Sequence, residues 1–363
     1  MEKILLQCAS VITCLFLFSC ISQVDVPLRT VAPELVVEGL ISTGPPPYTI
    51  KLSSSGPYTS TTEAGKDSQY FITDARVTIE DDLGDSTSCD WTGLGNYQSV
   101  DSNFIGTVGR TYTLKIYLSN GKKYLSRPET ITPVAPIDSL TVGYDSAQTT
   151  SISPPPLIVT VNSHDPGAGQ HLYRWASSGY VPRKSAGYTC GNNSVDCPDP
   201  YSCSCRALCE QFSADNQINI LSNQYIEGGE IVLPVYYSPV YWFGTHFVEV
   251  NQYSLSLASY QFWEQYLEQT NRTGSILDPL PSSLIGNMYN PADSTEIVLG
   301  LFSASAVYTK KVIIVPFFLQ QYLLESLAGY YIKRHDCKDV YPGALPDDTN
   351  PPGWENAQEI DLH

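Results

Sequence analysis

The chain has 363 residues, a formal net charge of −17, 42% hydrophobic residues and only 16% charged residues. This composition is typical of a folded protein and not of a disordered chain, and the length suits two domains of ordinary size. An acidic surface repels phosphates, which argues against nucleic-acid binding and against attachment to lipid headgroups through a basic patch. The 25 tyrosines, 25 glycines and 26 prolines favour short strands joined by turns.

The first twenty residues predict a bacterial lipoprotein signal. Lys3 precedes an apolar stretch that ends in Ser19-Cys20, so we expect cleavage after residue 19, alkylation of the Cys20 thiol with diacylglycerol, and modification of Cys20 by palmitate. Each buried CH₂ contributes about 0.8 kcal/mol, so several acyl chains hold a protein on a membrane stably. The alternative is an ordinary secretory signal with an incidental cysteine. On the lipoprotein interpretation, residues 20–33 are a tether.

Residues 34–133 carry short segments that alternate apolar and polar residues and are separated by turn residues. Candidate strands lie at 35–41, 48–53, 75–80, 96–100, 111–118 and 123–126. Asp81, Asp82 and Asp85 mark a hairpin turn, for which a calcium loop is the less favoured interpretation, and Asn120-Gly121 marks another hairpin. The pattern predicts a mainly β protein with an N-terminal immunoglobulin-like β-sandwich.

Residues 134–337 predict a second β-rich domain with one or two short helices. Candidate strands lie at 157–161, 171–175, 230–236, 246–253, 295–308 and 310–315. Leu257, Tyr260, Trp263 and Leu267 recur at helical spacing through 256–269, with Ser256 as N-cap, and this stripe is expected to pack in the core. A second helix is predicted at 317–331, and the tail 338–363 is predicted to be irregular.

An ordered set of short motifs runs through the mature chain. It comprises Cys20, Val24–Leu28, Leu35–Gly39, Asp74–Ile79, Gly109–Leu114, Pro136–Leu140, Tyr173-Arg174-Trp175, Tyr260–Trp263, Asp278–Pro281 and Gly286-Asn287. In this set the chain resembles DUF4249, a family of Bacteroidetes lipoproteins. The resemblance does not extend to a cysteine-rich insert at 188–210 or to the chain after Cys337.

The resemblance implies an outer-membrane protein associated with TonB-dependent receptor barrels, acting in nutrient capture or receptor assembly. Surface-exposed lipoproteins of this group carry an acidic run after the cysteine. The segment Ile21–Asp25 has one acid, so the side of the outer membrane that the protein faces is left open.

Seven cysteines besides Cys20 belong to the mature chain. Five of them crowd the insert, with spacings that do not match paired zinc ligands and with no histidine among them. In an oxidising compartment disulfides are the favoured interpretation over a metal site. The disulfide candidates are Cys190, Cys197, Cys203, Cys205, Cys209 and Cys337. At least one cysteine stays free, and Cys89, expected at a strand edge, is the first candidate.

Exposed aromatic residues are the remaining candidates for ligand or partner contact. They are Tyr236, Tyr237, Tyr241, Trp242 and Phe243, in a segment broken by Pro239 and Gly244. The alternative is a buried hydrophobic plug.

The sequence contains no catalytic motif, so no catalytic residue, metal site or cofactor is predicted. We therefore expect a non-catalytic binding or assembly accessory, anchored by lipid in the outer membrane beside a TonB-dependent receptor, with an unidentified ligand. An adhesive or structural surface protein is the alternative. A hydrolase would need a histidine–carboxylate pair in a cleft.

Overall fold

The computed structural model describes residues 33–56, 70–144, 157–186, 206–214, 217–226, 228–238, 245–271, 283–315, 345–346 and 350–361. The chain divides into two compact units, one of residues 1–33 with 56–62 and one of residues 34–55 with 63–363. Every element below belongs to the second unit. The predicted tether, the second helix at 317–331 and most of the cysteine-rich insert lie outside the described residues.

The described chain is mainly β, as predicted. The strands are β1 (Leu35–Ser42), β2 (Thr49–Ser54), β3 (Arg76–Asp81), β4 (Ser86–Gly93), β5 (Asn96–Ser99), β6 (Thr111–Tyr117), β7 (Lys123–Ser126), β8 (Glu129–Thr130), β9 (Ile137–Tyr144), β10 (Leu157–His164), β11 (Leu172–Ala186), β12 (Arg206–Ala214), β13 (Asn219–Ser222), β14 (Glu230–Ser238), β15 (His246–Ser254), β16 (Met288–Tyr289), β17 (Leu299–Ser305), β18 (Val307–Val315), β19 (Leu345–Pro346) and β20 (Gln358–Asp361). One α-helix, α1 (Leu257–Thr270), lies between β15 and β16.

The N-terminal strands form one ten-stranded sheet in the order β16-β7-β6-β3-β4-β5-β2-β1-β17, with β8 paired to β6. Side chains alternate between buried and partly exposed along β2, β3 and β6, which gives the sheet one apolar face. That face encloses a core that includes Ile50, Leu114 and Phe302. The last strand, β17, pairs in parallel with β1 although some 260 residues separate them, as in the pair Val36 and Leu299.

The ten-stranded sheet nearly closes on itself at a seam between its two edge strands, β16 and β17. The Asn287 side chain pairs with the backbone of Phe302, accepting from its N–H at 3.0 Å and donating to its C=O at 2.6 Å. The Asn287 C=O accepts from the Arg127 N–H on the other side. Gly286 is needed here because a Cβ would lie 1.6 Å from the Gly300 oxygen. The N-terminal β-sandwich predicted from the sequence is thus consistent with the structure, in which one nearly closed sheet wraps around a single core.

The second core lies between two smaller sheets, β14-β10-β9 and β19-β12-β11-β15-β18-β20. At its centre the Trp175 indole donates to the Gln252 amide oxygen at 2.8 Å and stacks on Tyr173 at a centroid distance of 5.7 Å. The Gln252 amide then donates to the Ala135 C=O, so the buried polar groups are paired.

The chain crosses from the large sheet to the second core at Ala306. The predicted strands at 295–308 and 310–315 were divided at the wrong place, because β17 ends at Ser305 and β18 begins at Val307. Ala306 exchanges hydrogen bonds with Ser254, whose hydroxyl accepts from the Ala306 N–H. These bonds fix the crossing point, which alternation alone does not reveal.

Helix α1 begins where the sequence predicts, with Ser256 as N-cap and its hydroxyl accepting from the Ser259 N–H. The predicted core stripe is wrong in part, since Leu257 is 50% exposed and the fully buried residues are Ser259 and Phe262. The helix is rotated about its axis relative to the predicted orientation because the Glu129 carboxylate accepts hydrogen bonds from the Ser256 and Ser259 hydroxyls, which turns this face inward. Among the described residues, no helix is long and apolar enough to cross a bilayer.

The tail contains more order than predicted. Strand β20 pairs in parallel with β18, and Trp354 stacks on Phe247 with ring centroids 6.0 Å apart. The sequence between Pro342 and Pro352 suggested irregular structure, and the long-range pairing with β18 was not visible in it.

Candidate ligand-binding site

A cavity of about 970 Å³ lies between the outer face of the large sheet and helix α1. The sheet contributes residues of β1, β2 and β17, and the opposite wall comes from β11 and α1. Its volume falls at the upper end of the range of about 300–1,000 Å³ for small-molecule sites. The cavity is therefore the first candidate for a functional site among the described residues.

Arg174 and Trp263 dominate the wall opposite the large sheet. Along β11, Tyr173 and Trp175 point into the second core, so strand alternation directs Arg174 to the other face. Its guanidinium carbon lies over the Trp263 ring, 4.1 Å from the centroid. Trp263 in turn contacts Tyr266 one helical turn further, with centroids 5.7 Å apart. The result is an aromatic wall with one cation on it.

Arg174 is partly buried, and its Nε is shielded from solvent without a hydrogen-bond partner. No described residue forms an ion pair with it. Burial lowers the pKa of the Arg174 guanidinium from its ordinary value, although the nearby Tyr253 opposes this. Desolvation of a charge without an ion-pair partner costs free energy. An anion bound beside Arg174 would offset this cost, so we interpret the guanidinium as an anion-binding group.

The other two charged residues among the described lining residues carry opposite charges. Glu38 and Lys51 are cross-strand partners on β1 and β2, and both line the cavity. With Arg174 the described residues of the lining comprise two positive groups and one negative group, a charge of +1, in a chain whose net charge is −17. This local excess of positive charge favours an anionic ligand.

A buried carboxylate fixes the position of α1 beside the cavity. Glu129 is 3% exposed and accepts from the Ser256 hydroxyl at 2.6 Å, from the Ser259 hydroxyl at 3.3 Å and from the Asn287 amide at 3.0 Å. Burial raises the pKa of Glu129, and these hydrogen bonds partly offset the effect. Glu129 thus ties the helix to the seam of the large sheet.

A second polar cluster surrounds Asp165 in the β10–β11 connection. Its carboxylate accepts from the Gly167 and Gly228 N–H groups, the Asn223 amide and the Tyr173 hydroxyl, and contacts His171 Nδ1 at 3.0 Å. Burial opposes ionisation, but these donors outweigh it and lower the pKa of Asp165 to about 2.

The Asp165–His171 pair is the arrangement that a hydrolase would need. Among the described residues, however, no serine, threonine or cysteine side chain hydrogen-bonds to His171. Asp165 is instead enclosed by structural donors, so the cluster is better explained as a brace for this connection. The other histidine pair, His164 with Asp138 at 2.6 Å, is exposed.

Most residues predicted to be modified or bridged lie outside the described part of the chain. This holds for Cys20, Cys190, Cys197, Cys203, Cys205 and Cys337. The backbone of Cys209 lies in β12, opposite Arg183 of β11. The lipidation and disulfide assignments stay predictions.

Cys89 is a free, buried thiol, as predicted. The expected strand-edge position is wrong, because β4 pairs with both β3 and β5. Burial, with the charge of Asp90, raises the pKa of Cys89 to about 12, so the thiol is unreactive in the folded state.

The predicted aromatic segment is only partly described. Tyr236 is 1% exposed and belongs to the second core, which agrees with the buried alternative at that position, and Tyr237 is partly buried. Tyr241, Trp242 and Phe243 lie outside the described residues, so their role as ligand contacts stays a prediction.

The predicted acidic turn is a hairpin turn between β3 and β4. The Asp81 carboxylate accepts from the Leu83 and Asp85 N–H groups. Arg110 forms ion pairs with both Asp81 and Asp82, and its hydrogen bond to Asp82 lowers the pKa of that carboxyl.

Sequence reasoning missed Arg174 and Trp263 as site residues. The available signal was a charged residue between two aromatic residues in an alternating strand, and an aromatic stripe on the helix that was assigned to the core. Neither pattern shows that the two segments pack together on one wall of a cavity, because that contact joins parts of the chain that lie far apart in sequence.

The family comparison is consistent with the motif order of the sequence. Residues 21–311 match a family model described as "Domain of unknown function (DUF4249)". None of the curated proteins matches the chain. Segments of three of the motifs that carried the resemblance, Leu35–Gly39, Tyr173–Trp175 and Tyr260–Trp263, line the cavity.

Proposed function

The chain belongs to the DUF4249 family, and we propose that it is a non-catalytic binding module held on the outer membrane by lipid on Cys20. In this role it works beside a TonB-dependent receptor in nutrient uptake. The observation that carries the binding function is the open cavity of about 970 Å³ beside α1. Among the described residues, its lining holds a cation without an ion-pair partner and contains neither histidine nor cysteine, which favours binding over catalysis.

The membrane part of the proposal rests on the N-terminal sequence. Fractionation of cells that express the wild type or Cys20→Ala tests it directly. We expect the wild type in the outer membrane and Cys20→Ala in the soluble fraction, because only the acyl chains hold the protein on the bilayer. Retention of Cys20→Ala in the membrane fraction would contradict the lipid anchor.

The partner is tested by purification of the tagged protein from native outer membranes in mild detergent, followed by mass spectrometry. A stoichiometric TonB-dependent barrel is the expected result. Recovery of the protein alone would contradict the accessory role and favour the adhesive alternative.

The cavity is tested by complementation of a deletion strain on a panel of nutrients. Thr49 lines the cavity, so Thr49→Trp fills part of it, whereas Thr92→Trp places the same side chain at the exposed end of β4. We expect Thr92→Trp to restore growth and Thr49→Trp to fail. Equal complementation by both variants would count against a binding role for this cavity.

A further inference from the structure

The cavity combines three observations that together specify a ligand. It has a cation that no described side chain pairs with, an aromatic and aliphatic lining, and an excess of one positive charge among its described lining residues. We propose that it binds a monoanionic carboxylate joined to an apolar body, with the Arg174 guanidinium as the anchor of the carboxylate. This inference rests on the proposed binding function and adds the chemical class of its ligand.

The stacking of Arg174 on Trp263 uses none of its hydrogen-bond donors, and no hydrogen bond joins its buried Nε to a described residue. The Trp263 ring covers one face of the guanidinium at 4.1 Å. The five N–H donors of a guanidinium lie in its plane, so a ring on its face uses none of them. The stack therefore orients a rigid fork whose geometry matches the two oxygens of a carboxylate.

The charge of the lining favours a monoanion. Glu38 and Lys51 face each other across β1 and β2 and offset one another, which leaves the charge of Arg174. One carboxylate neutralises this charge. A phosphate, which carries between one and two negative charges near neutral pH, would exceed it and repel Glu38.

The remaining lining accommodates an apolar body. Phe262, Trp263 and Tyr266 present aromatic surface from α1, and Leu299 and Leu301 present aliphatic side chains from β17. Burial of such a body removes apolar surface from water, so both parts of the ligand add to affinity.

The test compares acids with their uncharged amides. Phenylacetate and phenylacetamide, and hexanoate and hexanamide, are titrated by calorimetry into the full chain held in lipid nanodiscs. Charge-assisted hydrogen bonds are the stronger class, so we expect each acid to bind about tenfold or more tightly than its amide. Arg174→Met should lower the affinity of the acids to that of the amides and leave the amides unchanged.

Arg76→Met is the matched control. Arg76 also stacks on an aromatic ring, Tyr117 at 4.5 Å, but it is exposed and does not line the cavity. We expect it to keep the acid preference. Arg174→Lys, which keeps the charge and loses the fork, should give an intermediate preference and replaces Arg174→Met if that variant does not fold.

The remaining outcomes of the titrations contradict either the carboxylate inference alone or the proposed binding function as well. Equal affinity for acids and amides, or an acid preference that survives Arg174→Met, overturns the carboxylate inference and leaves the binding function standing. Absence of binding by all four probes contradicts the proposed binding function and the inference with it. Loss of the preference in Arg76→Met would show a general charge effect and also overturn the inference.

Discussion

Helix α1 contacts two charged side chains, Glu129 at its first turn and Arg174 at its second, and their surroundings differ. Glu129 accepts hydrogen bonds from Ser256, Ser259 and Asn287. The Arg174 guanidinium has a ring on one face and a buried Nε without a partner. Protein donors therefore occupy the Glu129 carboxylate, whereas the buried Nε of the Arg174 guanidinium has no hydrogen-bond partner among the described residues, and Arg174 lines the cavity.

This difference separates a structural charge from one available to a ligand. Desolvation of a charge costs several kcal/mol, which hydrogen-bond partners must offset. At Glu129 those partners are protein groups that join α1 to the seam, so disruption of these hydrogen bonds should affect stability. At Arg174 the described residues supply none, so removal of the charge should affect binding. The following variants test this contrast.

The largest effect is expected from Gly286→Ala, which disrupts the seam on the Glu129 side. The new Cβ would lie 1.6 Å from the Gly300 oxygen, so the seam must open and Asn287 must lose its pairing with Phe302. We expect a loss of about 4 kcal/mol or more in the free energy of unfolding, measured by urea denaturation.

Gly143→Ala is the control for that variant, because a Cβ there meets no atom within 4 Å. Its stability should stay within about 0.5 kcal/mol of the wild type. A Gly286→Ala protein as stable as Gly143→Ala would contradict the tight seam.

Asp165→Asn extends the contrast to a second buried carboxylate that accepts hydrogen bonds from several protein groups. The pKa of Asp165 falls from 3.8 to about 2 on folding, so its charge contributes about 2 kcal/mol at pH 7. Because the folded pKa is the lower one, this contribution is present above pH 3.8 and is lost as the pH falls towards about 2. Denaturation at pH 7 and pH 3 should show a destabilised variant at pH 7 and a smaller difference at pH 3.

Asp138→Asn is the matched control, since Asp138 and His164 form an exposed pair. Solvent screens an exposed pair and leaves it little stabilising effect, so a smaller loss is expected. Equal losses in the two variants would mean that enclosure by donors at Asp165 does not matter.

Glu129→Gln should have a smaller effect with the opposite pH dependence. The pKa of Glu129 is raised in the folded state by burial, so its contribution favours folding below the ordinary value of 4.5 and is lost as the pH rises through the folded pKa. The amide lacks this titration and can still pair with the serine hydroxyls. We expect stability within about 1 kcal/mol of the wild type at pH 7.

The test of Glu129→Gln is a pH series of denaturation midpoints between pH 4 and pH 8. The wild type should show a decline with rising pH relative to Glu129→Gln. Parallel curves for the two proteins would contradict the raised pKa.

The smallest stability effect is expected from Arg174→Met. The variant removes a charge that has no ion-pair partner among the described residues and keeps the apolar contact with Trp263. The free energy of unfolding should therefore be unchanged or higher than that of the wild type by up to about 1 kcal/mol. Arg110→Met, which breaks ion pairs with Asp81 and Asp82, should lower it instead. A loss above about 2 kcal/mol in Arg174→Met would show that Arg174 is structural.

Local features of this fold could be predicted from the sequence. Alternation located β1, β2, β3 and β6, Asn120-Gly121 marked the β6–β7 turn, and Ser256 marked the start of α1. Each of these signals depends on neighbours a few residues apart, which short-range sterics and hydrogen bonds control.

Long-range features could not be predicted in the same way. The parallel pairing of β1 with β17 and the crossing at Ala306 join segments that lie far apart in the chain. The cavity depends on these pairings, because its walls come from both ends of the described chain. For this reason Arg174 was recognised only as part of a strand.

The most direct test of the central claim is a crystal structure of the protein grown with phenylacetate. The account predicts the carboxylate within about 3.2 Å of the Arg174 guanidinium nitrogens and the phenyl ring against the aromatic wall of α1. Phenylacetate bound elsewhere, or Arg174 paired with a protein carboxylate in place of the ligand, would contradict it.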